Sequence, residues 1–201
     1  MNYPVWELDT LGGGTLIALI AVFHAFLAHI AVGGGLFLWW LDRRATREGD
    51  AGLLAYVRYH TRVFLLLTMV AGGVTGVGIW FVIGLVQPAG TSLLIHSFVF
   101  AWAIEWVFFA VEVVALLVYA GAFERMAVRT RHRVALVYAL AAWASLFVIN
   151  GILAFMLTPG AWTGPADFWV GFFNPSFWPS LVFRTLIAVA FAGLFALVTS
   201  V

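Results

Sequence analysis

Seven side chains of chemically versatile type fall inside or at the edges of the apolar spans of this sequence: His24, His29, His60, His96, Glu105, Glu112 and Arg184. Ionisable groups placed in a membrane span are costly to hold and mark functional positions by default. Glu105 and Glu112 are seven residues apart, which returns to nearly the same face of a helix, about 10 Å along its axis. Two carboxyls stacked this way suit a proton path linked by water, because a carboxyl in apolar surroundings can exchange its proton near neutral pH. The structural alternative is a pair of acids hydrogen-bonded inside a helix bundle. His24 and His29 are five apart and point about 140° away from each other, so one helix cannot present both to a single iron. Imidazole among Gly and aromatic neighbours supplies what a b-type haem requires, a neutral nitrogen ligand and flat apolar space. The alternative is a His satisfied by a backbone carbonyl. His24 is the leading candidate for iron. His29, His60 and His96 are further candidates for ligation or for contact with haem propionates. His60 and His96 lie near span edges, where a solvated His is common, and His132 reads as part of a basic loop.

The elements that must position these residues follow from composition and charge. The chain of 201 residues is 64% hydrophobic and 9% charged, against about 25% charged residues in a soluble domain. Lipid must therefore be the solvent for most of its surface. Charge-free stretches run from Thr10 to Leu41 and from Val63 to Ile104. The second is too long for one span, since about 20 residues suffice, and Gln87-Pro88-Ala89-Gly90-Thr91-Ser92 breaks it. The reading is an all-α integral membrane protein, one transmembrane domain over 1–201. Its five helices cover about 11–41, 56–86, 93–123, 134–157 and 178–201. Asp42 to Arg62 reads as a polar loop. The segment to about Pro179, with Trp162, Trp169 and Trp178, reads as an interfacial loop with an aromatic belt. The fifth helix is still apolar at Val201, so the chain is expected to continue or to be truncated there. Met1 to Thr10 carries Glu7 and Asp9 and no basic residue, unlike a cleavable signal peptide, so the first helix is expected to direct insertion.

Arginine sets the orientation. There is no Lys, and nine of the ten Arg fall at positions 43–62 and 125–133. Positively charged loops stay in the cytoplasm. The first and third loops are thus expected to be cytoplasmic and the N-terminus periplasmic. The absence of Cys leaves no thiolate metal site and no c-type haem attachment in this chain. The glycines at 33–35, 72–73, 76 and 78 suit close helix packing or close approach to a cofactor face.

Several of these motifs, taken in order, resemble subunit I of the cytochrome bd quinol oxidase family. The apolar run Ala21-Val22-Phe23-His24-Ala25-Phe26 is similar to that family's haem-ligating first helix. Gly72-Gly73-Val74-Thr75-Gly76 is similar to its small-residue segment in helix II. Ala103-Ile104-Glu105 through Glu112 to Glu124-Arg125 resembles its third helix, and Asn150-Gly151 with Pro159 its fourth. The sequence departs from the pattern in three ways. Its two Glu are seven rather than eight apart, Arg184 stands where the family has a second haem-ligating His, and the family's later helices and quinol-binding loop are missing.

The resemblance implies a b-haem subunit of a bd-like respiratory complex in the bacterial inner membrane. It would pass electrons between the quinone pool and a partner, a c-type cytochrome or oxygen. The c-type partner is suggested by the Tyr3-Pro4-Val5-Trp6 start and the His-x4-His helix. The departures favour electron transfer over dioxygen reduction by this chain alone. On this view His24 holds the haem, Glu105 lies beside it as second ligand or proton donor, and Glu112 extends the proton path. Arg184 would pair with a propionate, since guanidinium favours carboxylates. Other membrane subunits are expected partners; nucleic acid is not. Two alternatives from other classes are a proton-coupled transporter without a cofactor and a structural membrane anchor.

Overall fold

A computed structural model of the chain describes residues 5–200. Tyr3 and Pro4 of the start and Val201 at the end lie outside the described residues. The helices are α1 (Gly13–Glu48), α2 (Ala51–Leu66), α3 (Gly73–Val86), α4 (Pro88–Gly121), α5 (Val128–Leu157), α6 (Phe168–Phe172) and α7 (Phe177–Thr199). A π-helical turn at Leu67–Gly72 joins α2 to α3 without a break. Among the described residues there is no strand. Five helices are long and apolar enough to cross a membrane: α1, the continuous Ala51–Val86, α4, α5 and α7. Successive spans alternate in direction, so α1, α4 and α7 run one way and the other two run back. The arginine-bearing connections therefore share one end of the bundle.

The first polar loop is far shorter than its composition suggests. α1 continues as a helix to Glu48 and closes on Gly49, whose φ of 67° is the left-handed conformation that glycine adopts freely. Asp50 then caps α2 by accepting from the Leu53 N–H at 2.9 Å. Arg and Ala are good helix formers, so the helix continues where the apolar run stops. The arginines at 43–62 thus project from two helical extensions. Similarly, α4 begins at Pro88, a residue suited to the first helical turn. The second connection is reduced to Gln87, with Thr91 Oγ1 donating to the Gln87 and Ile83 carbonyls across the corner. The aromatic segment before α7 contains the short helix α6, an element its Pro and Gly content concealed.

α5 is the central helix. Half of its most apolar stretch is buried, against 11% for Ala51–Val86, which lies at the periphery. α4 and α1 both pack along α5, and α7 packs along α1. The glycines of α1 explain how closely these helices approach. A Cβ at Gly34 would overlap the Phe64 ring, and one at Gly35 would lie 3.0 Å from Tyr138 Cε1. Packing is thus what the 33–35 triplet serves. At the end away from the arginines, Phe98, Phe155, Phe172 and Phe177 form a second core beneath α6. The side-chain amide of the buried Asn174 donates to the Gly151 and Gly171 carbonyls, holding α6 against α5. At Phe98 the α4 backbone leaves helical geometry (φ −129°, ψ 29°), where that ring packs edge-on to Phe155.

Candidate functional site

The face of α4 that carries Glu105 and Glu112 carries Tyr119 seven residues further on. Facing it on the antiparallel α5 are Ser145, Tyr138 and Arg131, also at intervals of seven. The two helices meet in three polar layers. In the first, Ser145 Oγ donates to Glu105 Oε1 at 2.9 Å. In the second, Glu112 is 6% exposed and lies within electrostatic reach of Glu105 and of Tyr138. The Tyr138 hydroxyl donates to the Ala31 carbonyl of α1 at 3.2 Å. In the third, Asp42 of α1 is fully buried. It accepts from Tyr119 Oη at 2.9 Å and from Arg131 through Nη2 at 2.7 Å and Nε at 3.0 Å. Arg131 also donates to Thr46 Oγ1 at 3.2 Å and lies over the Phe123 ring. His132 Nε2 stands 3.4 Å from Asp42 Oδ1 and 3.3 Å from Thr46 Oγ1. His132, read from sequence as part of a basic loop, is therefore attached to the buried ion pair.

Successive layers are about 10 Å apart along the axis. Five members of this seam, Asp42, Tyr119, Arg131, Tyr138 and Ser145, are not evident from an inventory of ionisable residues in apolar runs. Asp42 and Arg131 belong to stretches that look like loops. Tyr and Ser are common enough in membrane helices to pass unnoticed. A signal was nevertheless present. Extending the Glu105–Glu112 interval by seven reaches Tyr119. Asp42 also falls on the buried stripe of α1 that includes Ala31, Gly34, Leu38, Leu41 and Ala45.

His24 lies apart from the seam, between α1 and α3. Thr75 Oγ1 donates to the Ala71 carbonyl at 2.6 Å, with the Gly72 carbonyl at 3.1 Å. With its proton committed to the backbone, Thr75 accepts from His24 Nδ1 at 2.9 Å. Nε2 is thereby left with the lone pair, the tautomer a metal requires. A Cβ at Gly76 would lie 3.1 Å from His24 Cε1, so this glycine lets the imidazole pack closely against α3. The π turn supplies the carbonyl of Ala71 that orients Thr75, and π turns within α-helices recur at functional sites.

The remaining candidates occupy separate places. His29 is 7% exposed; its Nδ1 donates to the Ala25 carbonyl at 2.6 Å and its Nε2 has no partner. Arg184 of α7 lies within electrostatic reach of His29, and its Nε donates to Ser180 Oγ at 3.2 Å. Ser180 continues to the fully buried Asn150, whose amide reaches the Phe177 carbonyl. His60 is buried rather than solvated. It donates from Nδ1 to the Tyr56 carbonyl at 2.8 Å and is stacked on Tyr56 and edge-on to Tyr59 and Phe195. His96 is exposed on α4 and donates to the Ser92 carbonyl at 2.7 Å. Counting back fourteen residues from the Tyr119–Asp42 bond along the parallel helices brings Glu105 opposite Ala28. His29 is therefore next to that level, and His24 lies about 6 Å further from the arginine end. Each of His24 and Glu105 has its own partner, Thr75 and Ser145. Among the described residues, no three His, Asp or Glu side chains gather as a metal-ion site. Compared with protein-family models, curated proteins and solved structures, the chain matches none.

Proposed function

We propose that the chain is a b-haem-binding subunit of a membrane electron-transfer complex of the bd type, working with the quinone pool. The observation that carries this reading is His24, whose Nδ1–H is fixed by Thr75 so that Nε2 offers a lone pair, with the ring packed against Gly76. A fixed tautomer with the lone pair on Nε2 is what a haem iron would need from His24, and the haem would be held through that nitrogen. The haem supplies one-electron redox chemistry when bound. The chain's own residues hold the imidazole in orientation through Thr75 and provide titratable groups along α4. Glu105 and Glu112 hold protons at carboxyl oxygens facing α5, and Ser145 orients Glu105. Proton movement between the layers is expected to use intervening water.

The purified protein is expected to give a b-type pyridine haemochrome and to be reduced by a quinol. Glu112→Gln should retain the haem but lower the number of protons taken up on reduction. A colourless protein that moves protons across liposomes would favour the second reading, a cofactor-free proton carrier. That reading draws on the same seam, because polar layers on one helix face need no redox group to pass protons.

A further inference from the structure

Two unmet demands adjoin each other where α1 meets α7. These parallel helices touch at Gly33 and Ala188, where a Cβ on Gly33 would fall on the Ala188 carbonyl oxygen. One turn earlier on each helix stand His29 and Arg184. Phe26 and Phe191 pack across the same pair of helices, with centroids 5.1 Å apart. The lone pair of His29 sits on Nε2, because Nδ1 is committed as a donor to Ala25, and that nitrogen is buried with no donor facing it. Arg184 gives Nε to Ser180. Among the described residues, no carboxylate stands within ion-pair distance of its guanidinium. A buried acceptor without a donor and an intramembrane cation without an anion are each costly, and hydrocarbon tails relieve neither.

A ligand meeting both demands needs a hydroxyl to donate to His29 and an oxygen to accept from Arg184. A carboxylated lipid would satisfy Arg184 alone, since a carboxylate has no proton to offer Nε2. A hydroquinone has both groups on an apolar body. We infer that His29 and Arg184 form a binding site for the head of a quinol, its hydroxyl donating to His29 Nε2 and its oxygen accepting from the Arg184 guanidinium. Naming a quinol rests on the electron-transfer function proposed above. The two-group geometry does not depend on the haem.

The Trp143 indole donates to Thr185, the neighbour of Arg184, at 3.2 Å, and the difference in fluorescence from a Trp143→Phe background isolates this one of the ten tryptophans as a local readout. Quinone-depleted protein titrated with a decyl-chain benzoquinol should show saturable quenching. His29→Phe and Arg184→Gln should each weaken binding by tenfold or more. Arg184→Lys, which keeps charge and donors, should lose less. His96→Phe, on the exposed face of α4, should change nothing. Haem content measured on the same samples separates the two claims. If quinol binding follows these variants in a protein without haem, the site stands and the electron-transfer reading falls. Unchanged quinol affinity in both His29→Phe and Arg184→Gln would overturn the site. So would oleate that binds as tightly as the quinol and responds to Arg184 but not to His29, or loss of haem in His29→Phe, which would make His29 an iron ligand.

Discussion

Asp42 and Arg131 carry opposite charges out of water, and their geometry determines what that is worth. The guanidinium grips the carboxylate through two nitrogens while Tyr119 and Thr46 bind the remaining positions. A well-satisfied buried pair contributes modestly relative to an apolar replacement, whereas stranding one member costs about 3–5 kcal/mol. Asp42→Ala should therefore lower the detergent melting temperature sharply. The double variant Asp42→Ala/Arg131→Met should recover much of the loss. Equal destabilisation by the single and double variants would show that the pair does not act as a unit. The same contrast explains what the sequence made legible at this scale. His24, Glu105 and Glu112 stand out because nothing around them in the chain is charged. Asp42 and Arg131 are hidden among other charges, and only the fold distinguishes them from Arg43, Arg44 or Arg129, which have no such buried acid beside them.

At the scale of the helix, the same residue type serves different ends. A Cβ on Gly34 would overlap the Phe64 ring, whereas Gly73 faces open space. Gly34→Leu should prevent assembly of α1 against α2 and reduce the yield of folded protein. Gly73→Ala should be tolerated, or should stabilise by up to about 1 kcal/mol through helix propensity. Matched losses in the two variants, read as folded yield by gel filtration, would mean that the α1 contact is not the selective one. Helix number and approximate spans were legible because hydrocarbon thickness imposes a minimum length and charge marks the ends. The ends themselves were less legible. Arg and Ala continue a helix past the membrane as readily as they begin a loop, so α1 and α2 extend until only Gly49 and Asp50 separate them. The π turn at Leu67–Gly72 and the helix α6 arise from tertiary packing and have no distinctive local pattern.

At the scale of the whole molecule, five spans form a bundle with α5 at its centre and the arginine-bearing connections at one end. The chain contains no Cys, so single cysteines report topology without background. Cysteines at Gly49 and Glu124 should react with an impermeant maleimide only from the cytoplasmic side, and one at Thr163 only from the other. Labelling of both ends from one side would contradict the charge-based orientation. The three-layer seam and the separate environments of His24, His29, His60 and His96 depend on that bundle. Their chemical separation leads to the most direct test, a comparison of haem content across His24→Ala, His29→Phe, His60→Ala and His96→Ala by pyridine haemochrome. A b-type signal is expected in the wild type, lost in His24→Ala and retained in the other three. A wild-type protein without haem, or a His24→Ala variant with an unaltered spectrum, would contradict it.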